Sequence, residues 1–334
     1  MRRYPAIVPP IAPDEIVALA RARGEARAAR DFATADRLRG EIEAAGWKVV
    51  DRGIDFDLAS ARPPDVADGA RVRYGASAAV PSRLSESPSA PATVVLLATD
   101  WPADLARALN GVRAHAPAGT QVVVVADAPS RGRAAALEAL ERGEGGEGLE
   151  GATAGPDEIV WTSARLGQAA ALNAGIRRAS GAVVILLDTC VEPTGDVVTP
   201  LISALADPSV AVAGGWGVAT HDLRHFQEAG PGDVAAIEGY CQAFRRADYV
   251  ARGPFDEHFR FYRNLDIWWS LVLRDEGEEA RPRRAVTLPL PALRHEHRGW
   301  PSVPDAERDR LSRRNFYRII DRFGWRNDLV VDRS

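Results

Sequence analysis

From residue 93 onward, short runs of Val, Leu and Ile alternate with longer stretches in which apolar residues recur every three or four positions. TVVLLAT (93–99), QVVVVAD (121–127), IVW (159–161) and AVVILLD (182–188) read as strands. Between and after them, ADLARALNGVRAHA (103–116), RGRAAALEALE (131–141), GQAAALNAGIRRA (167–179) and DVVTPLISALA (196–206) read as helices. Strands that are apolar throughout are covered on both faces, so this alternation predicts an α/β fold with a mostly parallel sheet flanked by helices. Ligands of such sheets bind at the carboxyl ends of the strands, where Asp100, Asp127 and Asp188 fall.

The first part of the chain has a different rhythm. Ile16, Leu19 and Ala20, then Leu38, Ile42 and Ala45, predict an α-helical hairpin within residues 14–53, its second helix closed by Gly46. Residues 58–92 are rich in Ala, Pro and Ser with little apolar periodicity, which predicts a linker. The expected division is 1–55 hairpin, 56–92 linker and 93–334 α/β domain.

Composition narrows the function. A net charge of −4 and 46% hydrophobic residues give no electrostatic case for nucleic acid or an acidic membrane as the main partner. Nearly all the basic residues are Arg, which carries no functional reading by itself. Cys190 and Cys241 lie far apart without metal-ligand spacing, so reduced thiols and a cytoplasmic location are expected. Prolines interrupt the opening MRRYPAIVPPIAP, and no run of about 18 apolar residues occurs, so neither a signal peptide nor a membrane span is expected. The first strand runs into ATDWPADL instead of a G-x-G-x-x-G turn, and no P-loop occurs, which argues against a dinucleotide-binding domain. The Gly- and Glu-rich GEGGEG reads as a solvated loop.

Five pieces in order carry a resemblance: VVVADAPS with Asp127, SARLGQAAALNAGIRRASGAVVILLD, the turn after Asp188, YCQAFRRADYVARGPFDEHFRFYRNLDIWWSLVLRDEG, and LRHEHRGW. Residues 93–323 resemble family 2 glycosyltransferases of the GT-A fold. The resemblance implies an inverting, hexosyltransferase-like enzyme that moves a sugar from a nucleotide-diphospho-sugar to an acceptor hydroxyl of unknown identity. It implies a divalent cation, Mn²⁺ or Mg²⁺, under the diphosphate and a base to strip the acceptor. Asp127, Arg165, Asn173 and Asp188 are then expected at the nucleotide, and Asp188, His295 and His297 at the metal. Asp266 is the first choice for the base and Asp256 the reserve, with Glu257 behind it.

Plainer readings stand beside these. Asp127 also reads as a turn residue, Asn173 and Gly175 as helix features, and His295 and His297 as ordinary packed histidines. Asp266 also reads as a helix cap, a position that would lower its pKa. His295 and His297 occupy alternate positions of an expected strand and so can point the same way. Trp268, Trp269 and Trp300 are candidates to stack on a sugar, although adjacent Trp268 and Trp269 cannot share one helix face.

The chain also departs from the family pattern. Cys190 stands where the second acid of Asp-x-Asp is expected, and Arg263 and Asn264 replace an acidic pair. Mg²⁺ often keeps several waters and one carboxylate, so Asp188 alone is chemically sufficient. The altered positions leave open a catalytically silent relative that binds a nucleotide or a partner.

Ala26-Arg27, Asp31-Phe32, Ala35-Asp36, Leu38-Arg39, Gly46 and Asp51 resemble a helical segment near the end of cysteinyl-tRNA synthetases. That implies tRNA contact, whereas the near-balance of acids and arginines fits a docking or homodimerising hairpin.

Overall fold

The computed structural model describes residues 12–52, 55–69, 71–144, 155–299 and 301–332, so Trp300 and most of the GEGGEG loop lie outside the described residues. The chain divides into two compact units, Met1–Ala76 and Ser77–Ser334.

In the first unit, α1 (Asp14–Ala28) packs on α2 (Phe32–Ala44). Asp31 caps α2 by accepting the Thr34 N–H at 3.1 Å, and Gly46, at φ +84°, turns the chain into β1 (Trp47–Arg52). That strand pairs antiparallel with β2 (Asp55–Ser60), and Ile16, Ala20, Ile42 and Trp47 form the shared core. Asp51 binds Arg23 at 2.9 Å and also Arg27, and these hydrogen bonds, Arg23's first, pull its carboxyl down to about 2. A second hairpin joins β3 (Val66–Asp68) to β4 (Arg71–Tyr74). The expected linker is thus corrected, because residues 56–92 carry strands in their first part and the unit boundary falls at 76/77. These strands span only three to six residues and stay partly exposed, so they leave little apolar pattern to read.

The second unit begins β5 (Ala90–Leu97), α3 (Pro102–His115), β6 (Gln121–Ala126), α4 (Arg131–Glu141), β7 (Glu158–Thr162), α5 (Gln168–Ile176) and β8 (Gly181–Leu187). It continues β9 (Val191–Pro193), α6 (Val198–Leu205), β10 (Val210–Gly214), β11 (Gly217–Ala219), β12 (Gln227–Ala229), β13 (Gly232–Val234), β14 (Ala236–Ile237) and β15 (Cys241–Arg245). Last come α7 (Arg246–Arg252), α8 (Leu265–Arg274), β16 (Arg284–Thr287), β17 (Ala292–Arg294) and α9 (Asp305–Phe323).

Within this unit the main sheet runs β13-β16-β10-β15-β8-β5-β6-β7. β8, β5, β6 and β7 are mutually parallel, which brings their carboxyl ends to one edge, whereas β15 inserts antiparallel between β8 and β10. Alternation along the strands covers both faces. Val94, Leu96, Val122, Val124, Ile185 and Leu187 join residues of α3, α4 and α6 in one cluster. On the other side α5 lies so close that a Cβ on Gly175 would meet Val95 at 2.7 Å and Val125 at 2.8 Å. Trp268 and Trp269 are both core: Trp269 stacks among Phe244, Tyr249 and Phe255, and Trp268 against Phe259 and Phe323. Neither is left to stack on a sugar.

Candidate active site

Asp188 follows directly on β8, its N–H donating to the Tyr240 carbonyl at 3.0 Å. Its Oδ1 accepts the Cys190 N–H at 2.8 Å, and its Oδ2 lies 3.4 Å from His297 Nε2. Burial works against the charge of Asp188, but His297 and the Cys190 N–H outweigh it and hold the carboxyl below its ordinary range. Burial likewise disfavours a charged His297, and Asp188 again prevails, raising the imidazole's pKa. An oxygen and a nitrogen at this separation are spaced much as neighbouring ligands of an octahedral cation, ~3 Å apart for bonds of ~2.1 Å. The donor set therefore fits a divalent cation that completes its shell with phosphate oxygens and water. Cys190 is 3% exposed, packed with the α3 side of the core, and burial with Asp188 drives its pKa far up. It is a neutral thiol that fills space.

The two late histidines do not act together. β17 ends at Arg294, so His295 and His297 lie beyond the strand. His295 turns to Glu192, Nε2 to Oε2 at 2.7 Å, while His297 faces Asp188 and stacks near Tyr262, ring centroids 4.7 Å apart. Glu192 belongs to a separate groove of about 610 Å³ that Arg107, Asn110 and His115 of α3 also line. The expectation that both imidazoles serve one metal is corrected: His295 is committed to Glu192.

Asp266 stands in the first turn of α8, after Asn264 at φ +68°. Its Oδ2 accepts the Gly239 N–H at 2.8 Å, and the Ile267 N–H donates to Oδ1 at 2.9 Å. The expected lowering of its pKa is not what the site produces, because burial outweighs those N–H groups and pushes the carboxyl up. Glu238, which sequence reasoning missed, is pushed up to about 7 by burial first, then by Asp266 and Glu228. The tripeptide Glu238-Gly239-Tyr240 thus touches both acids: Gly239 donates to Asp266, and Tyr240 accepts from Asp188.

A raised carboxyl pKa has a definite sign in stability. Above pH 4.5 the unfolded Glu238 loses its proton while the folded one keeps it until about 7, so stability falls across that window. Glu238→Gln should remove up to about 3 kcal/mol of that fall, read from urea unfolding at the two ends of the window. An unchanged pH slope would show that Glu238 titrates normally.

The remaining predicted residues divide. Asp127, after β6, accepts Thr162 Oγ1 at 2.9 Å and the Leu166 and Gly167 N–H groups at 2.8 and 3.2 Å, fixing the β7–α5 loop at the sheet edge. Nearby Asp100 binds Arg133 at 2.8 Å and lies 3.9 Å from Arg165, whose side chain is 75% exposed. Burial lowers the pKa of Arg133, with Asp100 opposing, so this is a second charged group that sequence reasoning passed over. Asn173 is corrected from a nucleotide contact to a core pin. It is 2% exposed, donates to the Phe255 carbonyl and Glu257, and accepts from Tyr249 and the Phe255 N–H. All four positions of the amide are used. Glu257 is held there and by Ser77, and Asp256 is held by His258 and Arg318.

Comparison with known proteins gives this geometry a family. The pattern of glycosyl transferase family 2 matches residues 93–263, just over half of the chain. Among solved structures, GalNAc-T7 with UDP, GalNAc and Mn²⁺ superposes with a TM-score of 0.52 at 14% identity, covering 71% of this chain and 48% of that one. The mannosyltransferase PcManGT from Pyrobaculum calidifontis, in complex with GDP-Man and Mn²⁺, gives 0.42 at 22% identity over 63% of this chain and 57% of its own. Separately, a cysteine–tRNA ligase of Opitutus terrae is 52% identical over 50 residues, 15% of this chain and 11% of the ligase. The chain thus spans about half of the first of these structures and a small part of the ligase. No helix among the described residues is long and apolar enough to cross a membrane. With residues 93–263 matching the family pattern and the sheet built as in GalNAc-T7, the chain belongs to glycosyl transferase family 2.

Proposed function

We propose that the protein transfers a hexose-like sugar, with inversion, from a nucleotide-diphospho-sugar to an acceptor hydroxyl between Asp188 and Asp266. The observation that carries this reading is the Glu238-Gly239-Tyr240 link, which ties an ionised acid facing an imidazole to an acid of raised proton affinity. Asp188 and His297 would hold a divalent cation, Mn²⁺ or Mg²⁺, and the bound ion supplies charge neutralisation to the departing diphosphate. GalNAc-T7, of the same fold, is described with UDP and Mn²⁺, which supports that reading. Asp100, Asp127, Arg133 and Arg165 flank the nucleoside at the ends of β5 and β6. Asp266 takes the proton of the acceptor hydroxyl as the new C–O bond forms and the bond to the diphosphate breaks. Its pKa, raised by burial, moves it toward the working range of a general base.

A second reading, a silent nucleotide binder, is favoured by the neutral Cys190 at the second acid position and by Arg263 and Asn264 at the acidic pair. Thermal shift with UDP, GDP, dTDP and ADP, each with and without Mn²⁺, followed by hydrolysis of the matching sugar nucleotide, separates the two. Cation-dependent stabilisation with turnover is expected. Stabilisation without turnover gives the silent binder, and no stabilisation by any nucleotide contradicts both.

Buried, reduced Cys190 and Cys241 fit a cytoplasmic setting. The first unit pairs Arg23 and Arg27 with its own Asp51 and exposes Phe32, which fits a docking or homodimerising hairpin better than a tRNA contact.

A further inference from the structure

The loop between β11 and β12 holds His221, Asp222 and His225, in the spacing His-Asp-x-x-His. One ligand atom from each of the three lies within 4.8 Å of the others, the one such group among the described residues. Asp222 is oriented for this: its Oδ1 accepts the Arg224 and His225 N–H groups, both at 2.8 Å. The other oxygen, Oδ2, lies 2.7 Å from His225 Nδ1 and 3.6 Å from His221 Nε2. The two rings are nearly parallel, 7° apart with centroids at 6.0 Å.

The loop is braced from beneath. Leu223 is 1% exposed and sits at φ +58°, a conformation that a branched side chain adopts at a cost of ~1 kcal/mol. The Thr220 hydroxyl accepts the Leu223 N–H at 2.9 Å, and the Thr220 N–H donates to the Val331 carbonyl at 2.9 Å. A buried leucine and two hydrogen bonds thus fix the backbone while both imidazoles stay more than half exposed. One carboxylate oxygen thus lies close to a nitrogen of each of two nearly parallel imidazoles, with the ligand atoms of the three residues within 4.8 Å of one another.

We propose that His221, Asp222 and His225 form a second metal site that takes a borderline divalent cation of the Zn²⁺ class. Two imidazole nitrogens and one carboxylate oxygen are the ligands Zn²⁺ accepts, and they leave a coordination position open to water. Mg²⁺ and Ca²⁺, which prefer all-oxygen shells, are poorly served. The site clips the β11–β12 loop and does not depend on the proposed sugar transfer.

The test uses the full chain, freed of metal by chelator and without nucleotide. ZnCl₂ is titrated calorimetrically, and CoCl₂ by visible absorption, into the wild type, His221→Ala/His225→Ala and Asp188→Asn/His297→Ala. The wild type and the Asp188/His297 variant should bind Zn²⁺ alike, and the His221/His225 variant should lose that site while keeping its circular dichroism. Three results would each overturn the proposal: no Zn²⁺ binding by the wild type, equal binding by the His221/His225 variant, or loss of binding in the Asp188/His297 variant alone. Should the last variant fail to fold, the comparison of wild type with the His221/His225 variant decides.

Discussion

Asp266→Asn should lower turnover by about 10³-fold while nucleotide binding stays within a factor of about two, the loss expected when a general base is removed. The amide oxygen of the variant can still accept the Gly239 N–H, so the start of α8 and the tripeptide before β15 keep their connection. What disappears is the group able to take a proton at a site where burial raises proton affinity. The loss corresponds to about 4 kcal/mol of transition-state stabilisation and should fall on kcat, with KM little changed. Retention of turnover within tenfold in Asp266→Asn would remove it from the chemistry.

The second large effect is on stability. Asn173→Ala should destabilise the second unit by about 4 kcal/mol and lower its Tm by roughly 10 °C. The substitution strands the Phe255 N–H and carbonyl and the Tyr249 hydroxyl in a region that water does not reach, each costing about 1–3 kcal/mol. Because these groups belong to the core below α5, affinity for the nucleotide should survive at temperatures where the variant is folded. A direct nucleotide contact would give the opposite pattern, weak binding at unchanged Tm.

Asn173 also shows where sequence reasoning reached its limit. The Asn-x-Gly pattern identified the right helix and, with it, the right fold, yet the pattern is read equally well as a packing device. Gly175 admits the helix to Val95 and Val125, and Asn173 fastens the segment 249–257 beneath it. The parallel half of the sheet was legible because its strands are apolar on both faces. The short strands of the first unit were not, being partly exposed and interrupted by prolines.

Within the site, Asp188 could be found as the acid ending a buried strand, and the neutral role of Cys190 follows from what a hard cation prefers. The separation of His295 from His297 could not be read, since it depends on β17 ending at Arg294 and on Glu192 arriving from β9. Glu238 was invisible for a related reason. A lone glutamate in IEGYCQ acquires its raised pKa only from burial and from acids that lie elsewhere in the chain.

The account rests on Asp188, with His297, seating a cation against a diphosphate. Calorimetric titration of the nucleoside diphosphate found in the screen, with saturating Mn²⁺ and with none, into wild type and Asp188→Asn measures that seat directly. Mn²⁺ should tighten binding to the wild type by tenfold or more, about 1.4 kcal/mol of coupling, and should do nothing for Asp188→Asn. An equal gain from Mn²⁺ in both proteins would contradict it.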